Sequence, residues 1–215
     1  YFHCTSNNTI FGTQMKELPT TNVPVVCDMS SDIFSRQLDF TKFDIIYAGA
    51  QKNMGPAGTT LVVIKEEILG KNGREIPSML DYAKHIKAES MYNTPPVFPV
   101  YASLLTLQWL KKLGGIAAIE KINNAKAELL YNEIDRNPLF KGAAAVEDRS
   151  NMNATFLLNN PEHAPIFDTM WKEAGISGLP GHRSVGGYRA SMYNAMPIES
   201  VQVLVDVMQA LEKAV

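Results

Sequence analysis

Cysteine is scarce in this sequence, and long apolar runs are absent. The 215 residues include two cysteines, Cys4 and Cys27, which fall on strand-like segments without metal-ligand or Cys-x-x-Cys spacing. No stretch approaches the ~18 apolar residues that a membrane-spanning helix needs. We therefore expect two buried thiols in a reducing compartment, a cytoplasmic location and no membrane partner.

A strong charge of either sign is also lacking. The formal net charge is −2, so neither nucleic acid nor an acidic membrane surface is expected as a partner. The Gly-x-Ser-x-Gly and His-Glu-x-x-His motifs of hydrolases and metalloproteases do not occur, and no metal site is predicted. Hydrophobic residues make up 46% of the chain, which is enough for the core of one large domain or two small ones.

A lysine lies between two predicted buried strands. Residues 43–47, with adjacent isoleucines, predict one strand, and residues 60–64 predict the next. Between them, Lys52 follows small residues and precedes a tight Gly-Pro-Ala-Gly turn at 55–58. Because a free ammonium is costly in such surroundings, the pattern indicates an amine that becomes covalently bound, as a lysine that forms a Schiff base does.

A carboxylate, Asp28, ends another predicted strand at 23–28, one strand and one connection before the lysine. The carboxyl ends of parallel strands are where open α/β sheets bind ligands. Pyridoxal phosphate requires a lysine for its aldehyde and an acidic partner for its pyridinium nitrogen. From the residues alone, the alternative that Asp28 merely caps a turn before Ser30 and Ser31 stays open.

Several motifs resemble those of the phosphoserine aminotransferases, a branch of the fold-type I, class V pyridoxal-phosphate aminotransferases. They occur in the family's order along nearly the whole chain: DMSS…SR at 28–36, AGAQKN…GPAG at 48–58, NTPP at 93–96 and GHR…RASMYNAMP at 181–197. The resemblance implies an α/β fold in which the C-terminal part of the large α/β/α domain spans residues 1–136. A small C-terminal α+β domain is expected at 137–215.

Apolar periodicity predicts the helices of both parts. One helix opens at Pro95 or Pro96 and keeps four residues on one apolar face: Ala102, Leu105, Trp109 and Leu113. A second runs over 116–134, with five charged residues expected on its solvated side: Glu120, Lys121, Lys126, Glu128 and Glu133. Farther on, strands at 154–158 and 186–194 alternate with helices at 161–174 and 199–211, which predicts a strand layer covered by helices.

The resemblance also implies how pyridoxal 5′-phosphate is held. Lys52 would bind its aldehyde and Asp28 its ring nitrogen, while Thr9 would donate a hydrogen bond to its phenolic oxygen. Three residues would bind the phosphate, the last two from the partner subunit of a homodimer: Gln51, Asn93 and Thr94. Without the resemblance, Thr9 is as well explained by a bond to its own loop and Asn93–Thr94 by helix capping.

Two arginines six residues apart form the second constellation. A substrate with an α-carboxylate and a remote phosphate needs two anion sites, and the planar guanidinium suits both. By resemblance, Arg189 binds the α-carboxylate, and His182 with Arg183 binds the phosphate or the γ-carboxylate of glutamate. Taken singly, Arg183 could be a solvated charge and His182 a loop histidine.

The implied reaction interconverts 3-phosphohydroxypyruvate and glutamate with O-phospho-L-serine and 2-oxoglutarate in serine biosynthesis, with a related role in pyridoxine biosynthesis. Two alternatives remain. One is another class V enzyme, such as an alanine–glyoxylate aminotransferase or a cysteine desulfurase. The other is an inactive folding or dimerisation unit.

The chain opens at Tyr1 on a strand pattern, and the family has a long N-terminal half with a phosphate loop and an aromatic that stacks on the cofactor. We therefore expect the chain to be the C-terminal part of a longer polypeptide, with that N-terminal half as a partner.

Overall fold

The computed structural model of the chain describes residues 1–71 and 73–215. The strands in this part are β1 (Phe2–Thr5), β2 (Asn7–Asn8), β3 (Thr13–Gln14), β4 (Val25–Asp28), β5 (Ile45–Gly49), β6 (Thr60–Ile64), β7 (Phe140–Gly142), β8 (Asn153–Leu158) and β9 (Tyr188–Ser191). The α-helices are α1 (Tyr82–Lys87), α2 (Val97–Lys112), α3 (Gly115–Arg136), α4 (Ala164–Glu173) and α5 (Ile198–Ala214). Across the described ranges, no helix has the length and apolarity required to cross a bilayer.

The larger sheet has the strand order β1-β4-β5-β6. The first three strands run parallel, and β6 pairs antiparallel with β5 at the edge. Cys4 and Cys27 lie opposite each other in β1 and β4. Both are buried free thiols, as predicted, and burial raises the pKa of each. The parallel arrangement brings the carboxyl ends of β4 and β5 to the same edge of the sheet.

The second sheet is antiparallel, in the order β7-β8-β9, and β2 and β3 form a separate antiparallel pair. One face of β8 carries Ala154, Phe156 and Leu158, which belong to a core that includes residues of α3, α4 and α5. Because residues alternate along a strand, the opposite face carries the polar side chains of Asn153 and Thr155, followed by Leu157. The predicted helices and strands of this region are present, although β9 is shorter than the predicted 186–194. The division into domains at residue 136 stays a prediction.

The prediction that five charged residues lie on the solvated side of α3 is wrong for two of them. Lys126 is fully buried, and its Nζ donates to the carbonyl oxygens of Met192, Tyr193 and Met196 at 3.0, 2.9 and 3.1 Å. Glu133 is also buried and accepts hydrogen bonds from the side chains of Arg136, Asn137 and Gln209. Lys126 lies inside because carbonyls 66 to 70 residues farther along the chain satisfy it. Glu133 is satisfied by two residues one turn farther along the helix and by the distant Gln209, and helical periodicity does not reveal these bonds.

Helix α2 has an apolar face, but that face is not packed. Leu105, Trp109 and Leu113 are exposed, and so is Phe98 on the same face, at 72%. On another side of the helix Val97 is also 72% exposed. A helix that is apolar around its circumference is normally covered by protein. In the described chain α2 therefore presents an uncovered apolar surface.

Replacing Lys126 tests its role in fixing the chain after β9. Lys126→Met keeps the apolar stem but leaves three carbonyls unpaired, so we expect a loss of about 2–4 kcal/mol in the free energy of unfolding. Chemical denaturation measures this loss, and Lys121→Met, an exposed lysine on the same helix, should change it by less than about 0.5 kcal/mol. Equal effects of the two substitutions would contradict the assignment.

The same lysine should give a pH signature. Burial lowers its pKa to about 8 from its ordinary value of 10.5. Between these values the unfolded chain binds more protons than the folded protein, so the free energy of unfolding should rise with pH across this window. That rise should be missing from the Lys126→Met protein.

Candidate active site

The lysine and the aspartate predicted from the sequence lie at the same edge of the larger sheet. Asp28 is the last residue of β4 and is in register with Tyr47 of the parallel strand β5. β5 ends two residues later at Gly49, and Lys52 follows in a turn. This edge is where ligands bind in open parallel sheets.

The turn that carries Lys52 is fixed by its own backbone. The amides of Met54 and Gly55 both donate to the Ala50 carbonyl, at 3.0 and 2.9 Å. Gly55 packs closely against α2, since a Cβ there would lie 2.7 Å from Ser103 Oγ. The turn is therefore short and has little freedom to move.

The Lys52 amine is half-buried, and it donates a hydrogen bond to Thr9 Oγ1 at 3.0 Å. Among the described residues no carboxylate forms an ion pair with it. Thr9, which the family resemblance assigns to the cofactor, is thus a direct neighbour of Lys52. An amine held by a neutral hydroxyl remains available to react.

Asp28 is held by the turn that follows it. Its Oδ1 accepts from the Ser30 amide at 2.8 Å, and Ser30 Oγ accepts from the Gly49 amide at 3.1 Å. The ends of β4 and β5 are thereby tied together. The pKa of Tyr47 is raised, mainly by partial burial and in second place by the Asp28 carboxylate. The Tyr47 hydroxyl is 2.9 Å from His3 Nε2. The expected turn-capping role of Asp28 and its position at the sheet edge therefore coexist.

The Thr9 loop connects β2 to β3 and rests on β8. Asn8 Oδ1 accepts from the amides of Ile10 and Phe11 at 3.0 and 3.1 Å. Thr155 Oγ1 in β8 donates to the Phe11 carbonyl at 2.9 Å. Gly12 has φ +70°, and a Cβ there would lie 2.8 Å from the Asn153 carbonyl oxygen. Only glycine satisfies both the backbone conformation and the close approach.

Arg189 lies on the polar face of the second sheet. It is the register partner of Thr155, and directly opposed residues share one face of a sheet. Since Thr155 contacts the Thr9 loop, Arg189 is on the face that adjoins this loop. Its Nε is buried, and within the described chain no acceptor pairs with it. A buried guanidinium nitrogen without an acceptor is suited to receive an anionic ligand.

His182 and Arg183 lie in the loop that leads into β9. The loop is closed by a hydrogen bond of 2.8 Å from the Gly181 amide to the Gly187 carbonyl. His182 Nδ1 is 2.7 Å from Ser184 Oγ, and Arg183 is exposed. In the described residues, neither side chain is hydrogen-bonded to Lys52 or Asp28. His182 and Arg183 are therefore close to Arg189 along the chain, but no hydrogen bond in the described residues joins them to the lysine.

The three predicted phosphate ligands are exposed. Gln51 folds its amide towards Gly49, where an added Cβ would lie 2.6 Å from Gln51 Oε1. Asn93 Nδ2 donates to the neighbouring Thr94 carbonyl at 3.2 Å. No hydrogen bond in the described part joins Asn93 or Thr94 to the lysine turn. Within one chain these two are not brought together with Lys52.

Sequence reasoning did not find several buried asparagines around this site. Asn53 directly follows Lys52, Asn194 follows β9, and Asn123 lies in α3, and each is at most 4% exposed. Buried asparagines need hydrogen-bond partners. An asparagine within an otherwise apolar segment is therefore the sequence signal that could have identified them.

Comparisons with known proteins match the chain to one family. The model of the aminotransferase class-V family matches residues 1–204. A phosphoserine aminotransferase of Flavobacterium johnsoniae is 85% identical over 215 residues, which are 100% of this chain and 60% of that protein. The chain thus spans about 60% of the length of the curated relatives that it matches.

Solved structures give the same result for the fold. A phosphoserine aminotransferase from Bacillus circulans subsp. alkalophilus superposes with a TM-score of 0.95 at 44% identity, over 100% of this chain and 60% of that one. The PLP-bound phosphoserine aminotransferase from Trichomonas vaginalis gives 0.91 at 36% identity, over 97% and 60%. The predicted fold class, a fold-type I transferase of mixed α/β structure, is confirmed.

Gly12 offers a direct test of the contact between the Thr9 loop and β8. Gly12→Ala adds a clash to the strain of a positive φ, so it should destabilise the protein by roughly 1–3 kcal/mol more than a substitution that adds strain alone. Gly178→Ala is the matched control, because Gly178 also has φ +70° but no atom within 4 Å of an added Cβ. Thermal denaturation of both variants measures the difference; equal losses would show that the close approach does not matter.

Proposed function

Because the chain belongs to the class-V aminotransferase family, we propose that it carries the lysine, the ring-nitrogen carboxylate and the substrate arginines of a pyridoxal-phosphate-dependent transaminase. One observation carries this proposal: Lys52 and Asp28 follow neighbouring parallel strands at one edge, with Thr9 hydrogen-bonded to the lysine amine.

The described side chains fit this cofactor by their chemistry. Its aldehyde needs an amine without a competing carboxylate, and Lys52 has a hydroxyl partner instead. Its pyridine nitrogen needs an acidic group, and Asp28 is anchored at the adjoining strand end. Its phosphate needs donors, and Gln51 is exposed beside the lysine. Asn93 and Thr94 would complete the phosphate site from a second subunit.

When bound, pyridoxal phosphate supplies an electron sink for the carbanion formed at the substrate Cα. Lys52 would hold the cofactor and, once its amine is released, take the proton from the substrate Cα and deliver it to C4′. Asp28 would keep the ring nitrogen protonated. Thr9, which contacts the amine in the absence of ligand, would orient the phenolic oxygen.

For the substrates, we propose 3-phosphohydroxypyruvate with glutamate, and O-phospho-L-serine with 2-oxoglutarate, as in serine biosynthesis. This is supported by the names of relatives up to 85% identical and by the orphaned Nε of Arg189. Arg189 would bind the α-carboxylate common to all four compounds. His182 and Arg183 would bind the remote phosphate or γ-carboxylate, and a phosphorylated intermediate of pyridoxine biosynthesis carries the same two anionic groups.

The active protein would also need partners. The relatives are longer than this chain, which spans about 60% of them, and α2 exposes an apolar surface. Both observations support an N-terminal part of the same enzyme and a homodimer partner as the groups that complete the site. A cytoplasmic location fits the two free thiols. A silent folding unit is the weaker alternative, since the lysine, aspartate and arginine are each held in place.

Replacing the lysine tests the cofactor assignment. Lys52→Ala should abolish both the visible absorbance of the lysine-bound cofactor and transamination, because no other described amine is hydrogen-bonded to Thr9. Absorbance spectra after addition of pyridoxal phosphate to the chain with its N-terminal complement measure the first effect. Lys42→Ala, an exposed lysine away from the strand ends, is the control. Full turnover by Lys52→Ala would refute the role.

Substitutions of the two arginines should affect different sets of substrates. Arg189→Lys loses the planar fork that binds a carboxylate, so kcat/KM should fall about 10- to 100-fold for every substrate pair. Arg183→Lys should raise KM only for substrates with a remote anionic group. Steady-state kinetics with phosphoserine, glutamate and alanine measure both. A fall for alanine in the Arg183 variant equal to that for phosphoserine would contradict the assignment and favour another class V substrate.

A further inference from the structure

Three consecutive carbonyl groups after β4 are each bound by a different asparagine. Asn53 Nδ2 donates to the Ile33 carbonyl at 3.1 Å, and Asn194 Nδ2 donates to the Phe34 carbonyl at 3.0 Å. Asn123 Nδ2 donates to the Ser35 carbonyl, also at 3.0 Å. We call Asn53, Asn123 and Asn194 the asparagine clamp. Each comes from a different element of the fold: the lysine turn, α3 and the loop after β9.

The backbone that the clamp holds is in an unfavourable conformation. Phe34 has φ +57°, in the left-handed region that a bulky non-glycine residue seldom adopts. Such a conformation persists only where the surroundings over-determine it, and it is concentrated at functional sites. Buried donors on three successive carbonyls provide that constraint.

The clamp residues are also bonded to one another. The backbone N–H of Asn194 donates to Asn53 Oδ1 at 3.0 Å, and the side-chain Oδ1 of Asn194 accepts from Asn123 Nδ2 at 2.9 Å. Asn53 is the residue after Lys52, and Asn194 is five residues after Arg189. A direct hydrogen bond thus joins the turn of the lysine to the loop that ends the arginine strand.

We propose that the asparagine clamp is a positioning device that fixes the Lys52 turn relative to the strand of Arg189. It would keep the reacting amine at a constant distance from the group that anchors the substrate carboxylate. The benefit of the clamp for catalysis rests on the proposed function. The mechanical coupling of the Lys52 turn to the strand of Arg189 does not. The asparagines are positioning residues, since the side-chain nitrogen of each donates to a backbone carbonyl; among the atoms of the clamp, Asn123 Oδ1 is buried without a partner in the described chain.

Amide hydrogen exchange tests the coupling without cofactor or substrate. In Asn194→Ala the backbone bond to Asn53 remains, but the side-chain bonds to the Phe34 carbonyl and to Asn123 are lost. The strained segment that Asn53 holds at Ile33 is then less constrained, so the amides of Met54 and Gly55 in the lysine turn should exchange about tenfold faster. A purely local role would speed exchange only around residues 192–196. Unchanged exchange in the lysine turn would overturn the proposal.

A matched control is available on α3. Asn124 is adjacent to the clamp residue Asn123 but exposed, and its side chain accepts a hydrogen bond from Asn151. Asn124→Ala should leave exchange in the lysine turn unchanged. An effect as large as that of Asn194→Ala would overturn the specific role of the clamp.

If Asn194→Ala does not fold, hydrogen exchange in the unsubstituted protein still tests the coupling. A coupled unit opens as a whole, so the amides of Asn194, Met54 and Gly55 should show protection factors that agree within about tenfold. Larger disagreement would overturn the proposal.

The catalytic consequence is measured in the loaded enzyme with its N-terminal complement. Asn194→Ala should lower kcat about 10- to 100-fold through misplacement of the amine, while spectroscopic titration should give unchanged affinity for pyridoxal phosphate. Unchanged kcat would overturn the positioning role. If the unsubstituted enzyme binds no pyridoxal phosphate, the proposed function is contradicted instead. The exchange data would still test the coupling.

Discussion

A buried hydrogen-bonded junction between the two sheets determines the geometry of the site. Asn7 Nδ2 donates to Ser31 Oγ at 2.9 Å and to Asn153 Oδ1 at 2.8 Å, and Ser31 Oγ donates back to the Asn7 carbonyl at 2.6 Å. Asn7 thus contacts both the turn after β4 and the first residue of β8. Apolar contacts would tolerate sliding of one sheet past the other, whereas directional bonds with satisfied partners specify one arrangement. The Thr9 loop and the face of Arg189 adjoin each other because of this junction.

The cationic groups of the site differ from the other buried cations in how they are paired. Arg149 is bound by Asp135 at 2.6 and 2.7 Å, and Arg36 lies 3.3 Å from Asp32. In the described part of the chain, Lys52 has only a hydroxyl partner and Arg189 forms no ion pair. The buried Nε of Arg189 lacks an acceptor among the described residues, as do those of Arg36 and Arg149. Arg149 and Arg36 are thus paired with carboxylates and the buried Lys126 with three carbonyls, while Lys52 and Arg189 have, within the described ranges, no ion pair that a ligand would have to displace. An anionic substrate recovers interactions that the folded chain has not already made.

The sequence was informative where a local pattern has a local cause. Apolar runs predicted β5 and β6, and the order of strand, small residues and lysine predicted the edge at which Lys52 and Asp28 lie. It was uninformative where burial depends on distant partners. Lys126 was assigned to solvent because helical periodicity counts charges as exposed, yet its three carbonyl partners lie at residues 192–196. Asn53 and Asn194 are 141 residues apart, so no window along the chain contains both. The uncovered face of α2 was missed for the same reason, because periodicity gives an apolar face but not its occupant.

The predicted ligand-binding residues fall into two groups with different physical tasks. Lys52, Asp28 and Arg189 are held by turns, strand pairing or hydrogen bonds, and each must have a defined direction relative to the reacting atoms. Gln51, Arg183 and the Asn93–Thr94 pair are exposed, and the resemblance assigns them to phosphate or remote carboxylate groups. An exposed donor has not lost its water before the anion arrives, so it costs no folding free energy while the site is empty. Groups that must be directed are therefore half-buried and fixed by the fold, and groups that supply affinity are left at the surface, where an N-terminal part or a second subunit would enclose them.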